Sequence, residues 1–256
     1  MTTPKVLIPM SDYGHDPTET ALPFTAFKAA GFSVHFATET GQAPACDEKM
    51  LVGITRKLLG AAKPAVEAYH LMAQAPEFQS PLAWSAPSFD LEPYHLIFLP
   101  GGHDKGVRQL LDSPIIHAHL ASYFPRTRKP SARCVAAVCH GVMVLSETEG
   151  HDGRSVIHEC ETTALPTRFE QAAFWGTRVW LGGYYKTYGV GSENVEESVT
   201  KKLDDPRQFQ RSLGMGPFVV EDKKYNYLSG RFPNDAQLLA ERTIALVQGT
   251  LASGMI

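Results

Sequence analysis

Cys139, His140 and Gly141 directly follow the apolar run Val135-Ala136-Ala137-Val138. A buried strand that turns sharply into a helix projects the residue at the turn out of the sheet. With serine at the turn this is a nucleophile elbow; here the residue is cysteine and the GxSxG pair of flanking glycines is incomplete. The N-terminus of the helix expected from Gly141 favours the thiolate form of Cys139. The other reading is a thiol that only packs, the common fate of buried cysteines. Strand, turn and glycine leave both readings open. Cys134 opens the strand, Cys160 sits in a short polar segment, and Cys46 falls in an expected surface loop.

Two further strand ends carry special residues. Pro100-Gly101-Gly102-His103 ends the run Leu96-Ile97-Phe98-Leu99. Paired glycines let backbone N–H groups converge and hold an oxyanion, or they make an ordinary tight turn. After the first apolar run come Asp12, Asp16 and Glu19. A carboxylate beside a thiol repels the thiolate, whereas a protonated carboxyl donates to the sulfur. Solvated loop acids are the alternative, and the sequence does not choose among the three.

Other patterns fail. His158-Glu159 lacks the second histidine of HExxH, and Gly189-Val190-Gly191 lacks a third glycine and a following helix. His117 and His119 fall on different faces of one helix. There is no P-loop and no CxxC pair, so a structural zinc site is disfavoured.

The elements that must position these residues alternate. Strands are expected at Val6–Ile8, Ser33–Thr38, His95–Leu99 and Val135–Val138, with a late hairpin from 218–220 and 227–229. Helices are expected from Pro23 to Ala30, through Leu51, Ile54, Leu58 and Ala62, over 104–111 and 115–123, from Gly141, and through Ala240, Ile244, Val247 and Leu251. Strands followed by helices predict an α/β fold with a mostly parallel sheet covered on both faces. Ligands then bind beyond the carboxyl ends of the strands. One domain over residues 1–256 is expected, with lid-like insertions at 41–91 and 177–216.

Composition narrows the function. The 256 residues are 43% hydrophobic and 20% charged, as in an ordinary soluble globule. A net charge of −3 gives no basic surplus for nucleic acid. No run approaches the length of a membrane span, and neither chain end carries a targeting signature, so a cytoplasmic location is expected. Four cysteines in this length make no disulfide framework.

The run Ala136-Ala137-Val138-Cys139-His140-Gly141 resembles the elbow of the DJ-1/PfpI superfamily. Leu99-Pro100-Gly101-Gly102-His103 resembles its oxyanion turn, and Glu19-Thr20-Ala21-Leu22-Pro23-Phe24 its acidic-residue helix. The segment from Ser33 to Gly41 is most similar to the Hsp31-like branch. These motifs run in family order through the first 160 residues; the C-terminal third is only loosely similar. Val142 replaces the usual proline after the elbow, and Asp104 the usual glycine after His103.

The resemblance implies a flavodoxin-like three-layer sandwich, a homodimer, and no metal or organic cofactor. It implies Cys139 as nucleophile, Glu19 as the carboxyl on its sulfur and His140 as base. Glu161, where the family has aspartate, would orient His140. Gly101, Gly102, His103 and Gly141 would shape the oxyanion and substrate site, with N–H groups of Gly102 and His140 as donors. The implied activity is that of a glutathione-independent glyoxalase, which converts a small carbonyl substrate such as methylglyoxal to lactate. Alternatives are a thiol hydrolase or hydratase for another metabolite, and a stress chaperone or redox-responsive protein.

Overall fold

The computed structural model describes residues 3–212 and 214–254. The expectations about Met1, Thr2, Met255 and Ile256 at the chain ends lie outside the described residues. In chain order the strands are β1 (Lys5–Pro9), β2 (Tyr13–His15), β3 (Ser33–Thr38), β4 (Ala45–Cys46), β5 (Leu82–Ala83), β6 (Leu96–Leu99), β7 (Cys134–Val138), β8 (Val219–Glu221) and β9 (Tyr227–Gly230). The helices are α1 (Pro17–Ala29), α2 (Glu48–Leu51), α3 (Gly53–Leu59), α4 (Lys63–Ala73), α5 (Pro76–Gln79), α6 (Arg108–Leu111), α7 (Pro114–Tyr123), α8 (Gly141–Glu147), α9 (Thr167–Leu181), α10 (Val195–Lys201) and α11 (Ala236–Ala252).

Seven strands form one sheet in the order β5-β3-β1-β6-β7-β9-β8. Every pairing is parallel except β8 with β9, the expected hairpin. Helices α1, α4 and α11 pack together, as do α6, α7, α8 and α10, around this sheet. The result is a flavodoxin-like α/β fold. The central strands β6 and β7 are buried at every residue, which explains their unbroken apolar runs. The chain leaves β1 for β3 on one side and reaches β6 on the other. Such a reversal opens a crevice at the carboxyl ends of the strands. Segment 41–91 supplies β4, α2 to α5 and β5; β5 edges the sheet and α4 packs on α1. No helix among the described residues is long and apolar enough to cross a membrane.

Two expectations fail locally. The helix expected to begin at Pro23 starts six residues earlier, where Asp16 caps it by accepting from the N–H groups of Thr18 and Glu19 and Pro17 sits in the first turn. Pro23 lies inside α1, and only Glu19 C=O loses its helical partner. The helix expected through Leu51, Ile54, Leu58 and Ala62 is broken at Val52 into α2 and α3. Gly53 takes φ 76° there, and Ile54 and Leu58 stay 72% and 63% exposed.

The end of β9 is stapled by a buried ion pair. Arg231 donates through Nε and Nη2 to Asp235, and to the carbonyls of Ser212, Gly214 and Gly216. Asp235 also accepts the backbone N–H groups of Arg231 and Phe218. This fixes Gly230, whose carbonyl takes the Cys139 N–H at 3.1 Å. Breaking one side of such a pair strands the other charge. Asp235→Ala is expected to cost about 3–5 kcal/mol in urea unfolding. The exposed Lys63–Glu67 pair, broken by Glu67→Ala, is expected to cost about 0.5 kcal/mol or less. Equal costs would contradict the staple.

Candidate active site

Cys139 stands at the end of β7 with φ 57°, the one positive-φ residue other than glycine among the described residues. A side chain held there is strained and must be over-determined by its surroundings. Gly141 provides part of that constraint. A Cβ at Gly141 would lie 2.2 Å from Leu99 O, so only glycine lets the elbow press against the end of β6. The thiol is 1% exposed.

The Gly-Gly turn after β6 meets the elbow. A Cβ at Gly101 would approach His140 N, Cys139 Cβ and Glu19 Oε2 to 2.7–2.8 Å. Gly101 N–H donates to Glu19 Oε2 at 3.0 Å. Its carbonyl accepts from Asp16 N–H at 3.0 Å and from His15 Nδ1 at 3.1 Å. His15 Nε2 accepts from Ser11 N–H at 2.8 Å, which puts the His15 proton on Nδ1 and keeps the ring neutral. Burial pushes His15 down to about 4. His15 is therefore a positioning residue for the turn, and no sequence pattern marked it.

Glu19 projects from the first turn of α1 to the sulfur. The carboxyl interacts with Cys139, and Oε1 has no nitrogen or oxygen partner. Burial, then the charge of Asp16, pushes Glu19 well above the carboxylate range. Burial, then the charge of Glu19, raises the Cys139 thiol, against a smaller lowering by the His140 N–H. Burial thus outweighs the helix start that was expected to favour a thiolate. Burial favours the protonated form of both the thiol and the carboxyl.

His140 is the third member. Its Nδ1 lies 3.5 Å from Cys139 Sγ. Its Nε2 lies 3.0 Å from Thr187 Oγ1, and that hydroxyl donates to His103 O at 3.0 Å. The hydroxyl proton is spent on a carbonyl, so Nε2–H donates to the hydroxyl and the lone pair of Nδ1 faces the thiol. Burial pushes His140 well below its usual value, helped by His103 and Lys186. The imidazole is a neutral base aimed at sulfur.

Glu161 does not orient His140. Its carboxylate pairs with Lys223 and its N–H donates to Asp222. Its neighbour Thr162 is buried and bonds Tyr227 OH, so side-chain alternation turns Glu161 outward, 31% exposed. Thr187 holds the place expected of an acid. It comes from the loop between α9 and α10, inside the segment expected to form a lid. Tyr185 in that loop packs edge-on against His103, ring centroids 4.7 Å apart. Tyr184 donates to Asp47.

The remaining cysteines are buried away from this cluster. Cys46, expected in a surface loop, is in β4 and 2% exposed, because β4 pairs with β2. A cavity of about 220 Å³ opens beside the site, lined by Asp16, His103, Leu165, Phe169, Tyr185 and Phe232 among others. A larger one lies near Leu111, His117 and Glu147; neither wall includes Cys139, Glu19 or His140, but the smaller one is lined by His103 and Asp16, which flank the elbow and α1. Ligand atoms of His103, Cys139 and His140 lie within 4.8 Å of one another.

Sequence and structure comparisons place the chain in a family. The family model described as ThiJ/PfpI family-like matches residues 10–227. An uncharacterized protein of Schizosaccharomyces pombe is 30% identical over 250 residues, spanning 97% of this chain and 86% of that protein. The crystal structure of glyoxalase III from Candida albicans superposes with TM-score 0.63 at 18% identity, covering 95% of this chain and 97% of that one. Drosophila melanogaster DJ-1beta gives TM-score 0.55 at 13% identity over 98% and 97% of the two chains. The chain belongs to the ThiJ/PfpI family.

Thr187 and Glu161 separate experimentally. Thr187→Val removes the acceptor at Nε2, a hydrogen bond worth about 0.5–1.5 kcal/mol. The iodoacetamide alkylation rate of Cys139 is expected to change by about 2–10-fold, whereas Glu161→Gln leaves it within error. The reverse pattern would restore Glu161 as the orienting group.

Proposed function

We propose that the protein is a cysteine-dependent, glutathione-independent glyoxalase that converts 2-oxoaldehydes such as methylglyoxal to 2-hydroxy acids. One observation carries the reading: a thiol on a strained elbow faces a neutral imidazole at 3.5 Å and a buried carboxyl. The neighbouring cavity of about 220 Å³ is smaller than the ~300–1,000 Å³ of drug-sized ligand sites and suits a three-carbon carbonyl. The likeness to a glyoxalase III fold supports the same choice.

In this reading Cys139 Sγ attacks the aldehyde carbon while His140 Nδ1 takes the thiol proton. The hemithioacetal oxygen is held by the N–H groups of Gly102 and His140 and receives that proton. His140, neutral again, removes the hydrogen on the former aldehyde carbon and returns it to the adjacent carbon through an enediol. The first carbon is oxidised to a thioester and the second reduced to an alcohol, so no external oxidant is needed. Water then releases lactate and the thiol. Glu19, kept as an acid, donates to sulfur as negative charge develops there. The resemblance supports a homodimer in the cytoplasm, which forms part of the proposal.

Cys139→Ala is expected to reduce glutathione-free methylglyoxal consumption, with lactate measured directly, by more than about 10²-fold. Because His140 is held below its usual value, the base stays neutral as pH falls. Wild-type kcat/KM is therefore expected to hold as pH drops through about 6.5, the ordinary histidine value. Lactate formation by Cys139→Ala at the wild-type rate would overturn the reading. An acid limb centred at the ordinary value would overturn the proposed state of His140.

A further inference from the structure

His103 is left over by the proposed reaction. Its ring lies edge-on to His140, centroids 4.9 Å apart, and its Nδ1 is buried without a hydrogen-bond partner. An unused buried nitrogen beside a thiol and a second imidazole is costly unless something occupies it.

We propose that His103, Cys139 and His140 form a three-ligand site for a zinc-like divalent ion, and that the ion reversibly shuts off the thiol. The three ligand atoms lie within 4.8 Å of one another, and Cys139 Sγ and His140 Nδ1 are already 3.5 Å apart. With bonds of about 2.3 Å to sulfur and 2.0–2.1 Å to nitrogen, neighbouring ligands in a tetrahedral zinc site sit about 3.3–3.6 Å apart. The first edge is at that length. The longest, at up to 4.8 Å, has to contract by about 1.2–1.5 Å, which rotation of the His103 side chain has to supply.

The surroundings suit the ion. The other ring nitrogen of His140 is held by Thr187, the arrangement that fixes the tautomer and aim of a metal-binding histidine. The donor set is one sulfur and two nitrogens, which selects zinc-like ions over magnesium or calcium. His103 also lines the cavity, which gives the ion a way in. Three protein ligands leave a fourth position for water.

Binding converts the thiol to a metal thiolate and releases one proton to solvent, with no change of oxidation state. The ion takes the sulfur lone pair and the Nδ1 lone pair of His140 together. Nucleophile and base are blocked in one event, and a chelator restores both. The inhibitory consequence rests on the glyoxalase reading; the binding itself does not.

The test uses metal-free full-length protein titrated with Zn²⁺, and separately with Co²⁺ as a spectroscopic probe. The expected result is one ion per chain and one proton released per ion. Co²⁺ should give a thiolate charge-transfer band that Cys139→Ser lacks. Zn²⁺ should slow alkylation of Cys139 by iodoacetamide more than about tenfold, reversed by EDTA, and Mg²⁺ should not. His103→Gln should weaken zinc binding more than tenfold, since even outer-shell changes at zinc sites cost about 10–100-fold. The protection ratio with and without metal is read within each variant, so a change in basal thiol reactivity does not enter. If His103→Gln fails to fold, the wild-type cobalt band and the protection ratio still decide. Zinc bound without protection of Cys139, or His103→Gln with full zinc affinity, would overturn the inference. Absence of methylglyoxal turnover with intact zinc protection would sink the glyoxalase reading alone. Turnover that persists at saturating zinc would sink the metal switch alone.

Discussion

The space around Gly101 has no room for a methyl group. A Cβ there would press within 2.8 Å of atoms from α1, the β7 elbow and His140 at once. Two distant stretches of chain, α1 and the elbow of Cys139 and His140, meet at this turn, and separate ties hold the pieces in place. Glu19 accepts the Gly101 N–H, His15 and Asp16 donate to its carbonyl, and Gly230 takes the Cys139 N–H. The parallel sheet brings the strand ends to one edge, and the missing side chain lets them close to contact distance. A thiol, a carboxyl and an imidazole therefore share one dry volume.

Dryness sets the electrostatics. Charge is costly in such a volume, so the carboxyl and thiol keep their protons and the imidazole stays without a second one. Charge on any of the three is disfavoured, so the thiolate is best formed as the sulfur attacks rather than before. That places the burden on proton transfer to His140. A carboxylate behind the imidazole would make it a stronger base; a threonine hydroxyl fixes the tautomer without adding charge. With no carboxylate on His140, no negative charge is added beside Glu19 and Cys139.

What the sequence made legible was local. Val135 to Gly141 reads as strand, nucleophile and turn because those seven residues are contiguous, and Gly101-Gly102 reads as a turn because glycine pairs do little else. Glu19 was singled out by family resemblance, since its carboxyl reaches the thiol only after 120 residues of chain have folded. His15 and Thr187 left no trace because each acts through one hydrogen bond to a distant backbone or ring atom. Glu161 was misplaced for a physical reason. Which of two neighbouring residues faces inward depends on what packs behind the segment, and Thr162 found Tyr227 and Ser229. The break at Gly53 went unread because apolar spacing continued across it, although those side chains face solvent.

The central claim is that substrate carbon becomes bonded to Cys139 during turnover. The direct measurement is rapid acid quench of wild-type protein mixed with methylglyoxal, followed by peptide mass mapping. The account predicts a three-carbon adduct on the peptide bearing Cys139 that forms and decays within one turnover, with the peptides bearing Cys46, Cys134 and Cys160 unmodified. Lactate formation with no adduct on Cys139 at any quench time would contradict it.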